Sequence, residues 1–240
     1  MSSNNEETFF KPPLLTETEL TKLPIFPLPS TVLFPHTFVP LHIFEPRYRV
    51  MVSTVIREGG AMGIGMLEPE AEGAAVAVEG DSAKTPLRQI AGAGRIVHYN
   101  ELADGRFMIL LRGLSRVTLA AELANASEPF RRFRTTALSE VEMENKSAMQ
   151  AVATLQSCVN QLAVTMTEGG AELLKAVSMA STPGALADLL ASALIGEPEL
   201  QQALLETTQV EKRVDKVVAS MAELLLNLPK AEHSDDNLVN

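Results

Sequence analysis

Hydrophobic and polar positions follow two different periods along this chain. Up to about residue 140 the apolar runs are short, alternate with polar residues and are separated by turn residues, which is typical of strands. After about Glu142 apolar residues recur every three or four positions, as on one face of a helix. The change of period predicts an α+β fold, in which a mostly antiparallel, barrel-like β domain with one helix precedes a helical bundle.

The clearest strand of the first half is Phe38–Phe44, which reads F-V-P-L-H-I-F. Alternation puts three aliphatic side chains on one side of this strand: Val39, Leu41 and Ile43. The other side carries the aromatic and polar side chains together with proline: Phe38, Pro40, His42 and Phe44. Glu45-Pro46 then opens a helix, because proline suits the first helical position, and Gly59-Gly60 ends it.

Turn residues predict the remaining strands. Asp104-Gly105 indicates a hairpin between Arg88–Ala103 and Arg106–Arg112, since both turn residues tolerate positive φ. Met108 and Leu110 make the second of these strands apolar on both faces, so we expect both faces to be covered. Further extended pieces are predicted at Ala61–Leu67, Arg116–Glu122 and Phe130–Leu138, with an exposed loop over Glu68–Lys84. The dense prolines between Leu23 and Pro46 argue against one central strand along that whole stretch, and they favour short extended pieces broken by turns.

The second half predicts several amphipathic helices. One begins after Asn145 as its N-cap, one begins at Thr182-Pro183 and one begins at Glu197-Pro198. The longest apolar stripe runs from Val210 to Leu228. We interpret this stripe as the core face of a helical bundle, and an oligomer interface is the alternative.

The resulting domain hypothesis has four parts: a flexible segment over residues 1–22, a β domain over 23–140, a helical bundle over 141–229 and a polar tail over 230–240.

Composition narrows the class of protein. The chain has 240 residues, 46% of them hydrophobic, which is an ordinary globular mixture. Its net charge of −10 disfavours the binding of polyanions such as nucleic acids. Residues 1–10 lack the basic and apolar regions of a signal peptide, and no apolar run is long enough to span a membrane. These features favour a soluble cytoplasmic protein that does not engage a membrane.

Catalytic motifs are missing from the sequence. We find neither a phosphate-binding G-x-x-x-x-G-K-[ST] loop nor a G-x-S-x-G nucleophile elbow. The four histidines lack carboxylate or thiolate partners at ligand spacing, and Cys158 is the only cysteine. Gly92 and Gly94 are interpreted as thin strand positions. The sequence therefore predicts no catalytic residue, no metal site and no cofactor.

One basic run offers a different kind of site. Phe130-Arg131-Arg132-Phe133-Arg134 interleaves aromatic side chains with arginines, a pattern that can bind nucleic acid. A charged edge strand is the simpler interpretation. RNA binding through Arg131, Arg132 and Arg134 stays open as an alternative.

Three segments resemble the Lon N-terminal domain, in the form found in stand-alone Lon-domain proteins. They are LPIFPLPSTVLFPHTFVPLHIFEPRYRVMV at Leu23–Val52, DGRFMILLRGLSRV at Asp104–Val117 and PGALADLLASAL at Pro183–Leu194. The resemblance implies a PUA-like β-barrel followed by a helical bundle, and a role in recognising substrate proteins. The family's ATPase and Ser–Lys peptidase modules have no counterpart here, so we expect a non-enzymatic protein.

The resulting hypothesis is a binding module that captures unfolded or partner protein segments, as an adaptor, a holdase or a regulator. The candidate peptide-binding residues are aromatic or proline: Phe34, Pro35, Phe38, Phe44 and Tyr48. Phenylalanine in short strands is usually a core residue, so this hypothesis requires that the candidate side chains are exposed. Besides RNA binding, the alternatives are a hydrolase with an unrecognised site and an oligomerisation unit built on the Val210–Leu228 helix.

Overall fold

The computed structural model describes residues 14–68, 85–124, 127–166, 168–180 and 182–227. Its strands are β1 (Leu23–Leu28), β2 (Phe38–Ile43), β3 (Ala61–Met66), β4 (Ile90–Glu101), β5 (Phe107–Leu123) and β6 (Arg131–Ala137). Its helices are α1 (Glu17–Leu20), α2 (Pro46–Arg57), α3 (Asn145–Thr165), α4 (Gly170–Ser178), α5 (Pro183–Leu194), α6 (Pro198–Glu206) and α7 (Val210–Asn227). The α+β class and the change to helices after about residue 140 are confirmed.

The strands form one sheet in the order β2-β5-β4-β3-β1-β6, in which β6 also pairs with β5. Only the β1–β3 ladder is parallel, so the prediction of a mostly antiparallel sheet is correct. The prediction of separate strands at Arg106–Arg112 and Arg116–Glu122 is wrong, because β5 runs through both. Its first half pairs with β2 and β4, and its second half pairs with β6.

The proline-rich start of the chain forms short strands, as the sequence predicts, and the first of them is an interior strand. β1 lies between β3 and β6 although it contains Pro24 and Pro27. The ladder to β6 ends at Ile25, before Pro27, and the ladder to β3 begins at Ile25, after Pro24. Each proline therefore lies where one of the two ladders is absent. The missing N–H of proline is tolerated there because fewer backbone donors are required.

Helix α2 packs against β1, β2 and β3. Its Met51, Val52 and Val55 are buried in one cluster with Ile43 and Phe107. The helix begins at Pro46 and ends before Gly59-Gly60, as the sequence predicts.

Gly92 in β4 and Gly113 in β5 have no side chain, so the segment before β2 can cross close to both strands. A Cβ atom at Gly92 would overlap the Leu33 carbonyl oxygen, and one at Gly113 would overlap the Phe34 carbonyl oxygen. The interpretation of Gly92 as a thin strand position is thereby confirmed. The close crossing holds Phe34 against the sheet.

The β4–β5 hairpin is present, but its turn is longer than the predicted two residues. Residues 102–106 separate the strands, and Gly105 alone of Asp104-Gly105 has positive φ, at 78°. The Asp104 carboxylate instead accepts hydrogen bonds from the backbone N–H and the Nε of Arg106, at 3.1 and 2.6 Å.

The helices form a layer that shares its core with the sheet. Val210, Val214, Val217 and Met221 of α7 are buried in the same cluster as Phe34. The predicted apolar stripe is therefore a core face from Val210 to Met221, whereas Leu224 beyond it is exposed. Helices α1 and α4 are not predicted by the sequence, and Asn145 is the first residue of α3 instead of its cap.

The N-terminal segment is ordered in its described part. Within the predicted flexible segment 1–22, helix α1 is held by ion pairing of Glu19 with Arg95, at 2.9 Å. Residues 1–13, the tail over 230–240 and all but the first residue of the predicted loop Glu68–Lys84 lie outside the described residues.

A buried charge network joins the sheet to the helices. The Asp188 carboxylate on α5 accepts hydrogen bonds from both terminal nitrogens of Arg116 on β5, at 2.6 and 2.9 Å. Arg213 on α7 approaches the same carboxylate to 2.9 Å through Nε. Glu140 accepts from both arginines, at 2.7 and 2.6 Å, so two positive charges face two negative ones.

Candidate functional site

The structure divides the five predicted peptide-binding residues into two groups. Phe34, Pro35 and Tyr48 are buried, and Phe34 has no exposed surface at all. The Tyr48 ring lies 4.4 Å from the Phe26 ring within the cluster under α2. These three residues are part of the core, and we correct the candidate surface by removing them.

Phe38 and Phe44 remain on the surface, with 51% and 61% of their area exposed. Phe38 is the first residue of β2, and Phe44 directly follows its last residue. The predicted sidedness of β2 is confirmed, since Ile43 is buried and Val39 and Leu41 pack against the core. Exposure of both phenylalanines leaves them available for contact with a ligand.

Strand pairing extends this exposed surface onto β5. Pro40 is opposite Leu110, and His42 is opposite Met108. Directly opposed residues project from the same face, so these side chains flank one another. We call Phe38, Pro40, Met108 and Leu110 the apolar strip. The sequence expectation that Met108 and Leu110 are covered is wrong, because Met108 is 45% exposed and Leu110 is half-buried.

Polar side chains border the apolar strip. The Arg112 guanidinium carbon lies 5.6 Å from the centroid of the Phe38 ring, within the range of a cation–π contact. His42 lies 6.0 Å from the Phe44 ring between centroids, and on β4 His98 and Asn100 are opposite Leu110 and Met108. An apolar centre with a polar border is the usual composition of a protein-binding surface.

The open edge of β2 is blocked for strand addition. In the described residues β2 pairs with β5 alone, and just before the strand the Gly113 N–H donates to the Thr37 carbonyl oxygen, at 2.9 Å. Alternation along the ladder directs the backbone groups of Phe38, Pro40 and His42 to the open edge. Pro40 has no N–H to offer there, which is a common way of protecting an edge strand. A ligand is therefore expected on the side-chain face of the sheet and not at its edge.

The arginine run on β6 is largely neutralised by carboxylates. Arg131 donates two hydrogen bonds to Glu122, at 2.8 and 2.7 Å. Arg132 is buried between Glu128 and Glu58, with its closest approach at 2.7 Å. Burial lowers the pKa of Arg132, but the two carboxylates outweigh burial and raise that pKa above its ordinary value.

Arg134 alone of the three predicted RNA-binding arginines is exposed without an ion pair in the part of the chain that the structure describes. RNA binding stays a prediction that no contact in this structure favours.

Potential catalytic and metal-binding groups are dispersed. Among the described residues, no three His, Cys, Asp or Glu side chains come together in a way that could hold a metal ion. Cys158 is a half-buried free thiol in α3. Over the same described ranges, no helix is long and apolar enough to cross a membrane.

The sequence analysis missed Met108 and Leu110 as surface residues. The available signal was the alternation of Phe107–Leu111, which correctly separates the buried from the exposed side. That signal does not tell whether a second layer covers the outer side, since coverage depends on where the helices pack. The pairing of β2 with β5 was also needed to bring these residues next to Phe38.

Comparison with known proteins identifies related chains. A family model described as the ATP-dependent protease La (LON) substrate-binding domain matches residues 22–223. The Lon protease of Paraburkholderia phytofirmans is 26% identical over 200 residues, which are 82% of this chain and 24% of that protein. The Lon protease of Roseiflexus castenholzii is 29% identical over 200 residues, covering 82% and 23%. The chain thus spans about a quarter of the length of these curated relatives.

Two solved structures have the same fold. The N-terminal domain of a Mycobacterium avium complex Lon protease superposes with a TM-score of 0.61 at 20% identity, covering 84% of this chain and 98% of that one. A Lon N-terminal domain protein from Xanthomonas campestris gives a TM-score of 0.56 at 19% identity, covering 87% and 99%. At these identities the likeness shows the fold alone.

Proposed function

This chain belongs to the family of LON substrate-binding domains, and from that membership we propose that it binds unfolded or flexible segments of other proteins through the apolar strip and Phe44. The matched domain is named for substrate binding, which makes a protein segment the first ligand to consider. Binding of a protein segment requires an accessible apolar surface and does not require a catalytic group.

The exposure of Phe38, Met108 and Phe44 on adjacent strands is the observation that carries this proposal. Covering the exposed half of each side chain would contribute on the order of 1 kcal/mol, since full burial of Phe or Met is worth about 1.5–3 kcal/mol. Ordering a flexible peptide opposes that gain. We therefore expect affinities in the micromolar range or weaker, with little dependence on salt.

Replacing Phe38 by serine tests the surface directly. We expect Phe38→Ser to weaken binding of a fluorescein-labelled apolar, uncharged peptide by roughly fivefold, because an aromatic contact worth about 1 kcal/mol is lost. Phe44→Ser should have a similar effect, measured by fluorescence anisotropy. Circular dichroism should show both variants folded.

Met149→Ser is the matched control. Met149 is 77% exposed on α3 and lies outside the strip, so its loss removes a comparable apolar side chain elsewhere. If the Met149 variant loses as much affinity as the Phe38 variant, the proposed surface is wrong. If both phenylalanine variants bind like the unchanged protein, the surface is wrong as well.

We also propose that the chain supplies recognition without catalysis. The lack of a phosphate loop in the sequence and the dispersal of acidic, histidine and thiol groups in the described residues support this. Purified protein should neither hydrolyse ATP nor cleave casein, as measured by phosphate release and by fluorescent casein digestion. Turnover that co-purifies with the protein and disappears on substitution of Lys84 would contradict the proposal.

We propose that the protein acts as an adaptor, a holdase or a regulator, since these roles suit a recognition module. We also propose that its sheet forms the PUA-like barrel that the family resemblance implies. The pairing of β6 with both β1 and β5 supports that architecture, because the path of paired strands that leaves β5 through β4, β3 and β1 comes back to β5 through β6.

A further inference from the structure

A second groove lies on the opposite side of the β4–β5 hairpin from the apolar strip. It has a volume of about 440 Å³ and runs between α2 and the hairpin. Its walls combine polar, charged and apolar side chains: Arg49, Val50, Ser53, Arg57, Glu101 and Phe107. Pro46, the first residue of α2, also borders it and lies two residues beyond Phe44. The groove therefore begins close to Phe44 in the sequence, just after the end of β2.

Two arginines of the groove lack carboxylate partners. No carboxylate oxygen lies within ion-pair distance of Arg49 or Arg57 among the residues that the structure describes. Arg57 donates to the Ser53 carbonyl and the Thr54 hydroxyl of its own helix, at 3.3 and 3.2 Å. Most other arginines of the described chain, such as Arg131 and Arg132, pair with Glu or Asp.

The hairpin positions one of these arginines. The Arg49 guanidinium lies so close to Gly105 that a Cβ atom there would overlap it. The backbone N–H and guanidinium of Arg106 lower the pKa of Asp104, and the charge of Arg49 adds to this lowering. Asp104 is already hydrogen-bonded to Arg106, so Arg49 keeps its donors for a ligand.

We infer that this groove binds an acidic, extended peptide segment with carboxylates four residues apart. Arg49, Ser53 and Arg57 follow one stripe of α2, and eight helical residues separate the two arginines by about 12 Å. Four residues of an extended peptide span about 13 Å, and positions four apart lie on the same face. A carboxylate can accept two parallel hydrogen bonds from each guanidinium.

The centre of the groove selects a small apolar residue between the two acidic ones. Val50 is 47% exposed there, beside the short side chain of Ser53. Glu101 lines the hairpin side of the groove, so it disfavours carboxylates that enter out of register. The expected pattern is acidic-x-small-x-acidic, where the small residue is alanine or valine. This inference rests on the proposed function in that the ligand is a protein segment.

A charge-matched experiment tests the groove. The probe is a fluorescein-labelled peptide that carries two glutamates four residues apart around a central alanine, titrated by anisotropy against the full chain. We expect Arg57→Gln to weaken binding about fivefold, and Arg49→Gln combined with Arg57→Gln about 25-fold, from roughly 1 kcal/mol per exposed ion pair. Raising the salt concentration about tenfold should also weaken binding.

Two controls separate local from general charge effects. Arg134→Gln removes the same charge from an exposed position on β6 that does not line the groove, and should leave binding unchanged. A second peptide with glutamine in place of both glutamates should bind the unchanged protein about as weakly as the acidic peptide binds the double variant. This peptide arm does not depend on whether the variants fold.

Each remaining outcome has a defined meaning. Equal binding of the glutamate and glutamine peptides overturns the groove, and binding of the uncharged apolar peptide then leaves the proposed function standing. Equal losses in the Arg134 and Arg57 variants overturn it too. If a single-stranded oligonucleotide binds more tightly than the acidic peptide and loses as much affinity in the double variant, the assignment to a peptide is wrong.

Discussion

Replacing Asp188 by alanine is expected to lower the free energy of unfolding by about 3–5 kcal/mol. Asp188 is only 1% exposed and faces Arg116 and Arg213, which are equally buried. Without its carboxylate, two guanidinium groups share Glu140 alone, whose side chain is 27% exposed. A buried charge without its partner costs far more than a lost surface contact. Urea denaturation followed by circular dichroism measures the difference.

Asp215→Ala provides the matched control on α7. Asp215 is exposed and has no ion pair within the described residues, so we expect its removal to change the free energy of unfolding by less than about 0.5 kcal/mol. Similar losses in the two alanine variants would show that the network does not stabilise the junction between sheet and helices.

A compensated variant separates the net value of the network from the cost of breaking it. Arg116→Met, Asp188→Leu and Arg213→Met together replace the buried charges by apolar side chains of comparable size. Such replacements are often neutral or stabilising, so we expect stability close to that of the unchanged protein. Glu140 can be hydrated in this variant because its side chain reaches solvent. Loss as large as in Asp188→Ala would mean that packing, and not charge, explains the effect.

This network was inaccessible to sequence reasoning. Arg116 lies in a strand that the sequence predicts, and Asp188 lies in a helix that it predicts, yet nothing local indicates that their side chains meet. They are 72 residues apart, and the contact depends on how α5 packs against β5. Sequence periodicity assigns each element a buried side but does not identify the element that covers it.

Local signals predicted elements well where a single segment determines its own structure. Helix α2 begins at Pro46 and ends before Gly59-Gly60 as expected. The prolines likewise predicted short strands in the stretch that contains β1, but they did not predict that β1 lies inside the sheet. The ladders flanking β1 overlap only at Ile25, and that register is a property of the whole sheet.

The candidate site shows the same division between local and long-range information. Alternation along β2 correctly put Phe38 on the side opposite Ile43. The stretch before β2 contains Phe34 and Pro35 and has no alternation to interpret, so its burial could not be predicted. The buried position of Phe34 follows from the crossing over Gly113, a contact between residues far apart in the sequence.

Phe34→Ala and Phe38→Ala should therefore behave in opposite ways, although only four positions separate them. Phe34 is fully buried in the cluster shared by the sheet and α7, and its carbonyl oxygen accepts a hydrogen bond of 2.8 Å from the Thr37 hydroxyl. Truncation to alanine leaves a cavity in this core and should lower the free energy of unfolding by about 3–5 kcal/mol. Phe38 is 51% exposed, so its truncation should cost less than about 1 kcal/mol.

Peptide affinity completes the comparison between these two phenylalanines. Measured at a temperature where both variants are folded, Phe34→Ala should bind the uncharged apolar peptide like the unchanged protein, since its ring does not reach the surface. Phe38→Ala should lose roughly fivefold in affinity, the equivalent of about 1 kcal/mol. Severe destabilisation by Phe38→Ala would place its ring in the core and contradict the apolar strip. A folded Phe34 variant that has lost peptide binding would instead return Phe34 to the recognition surface.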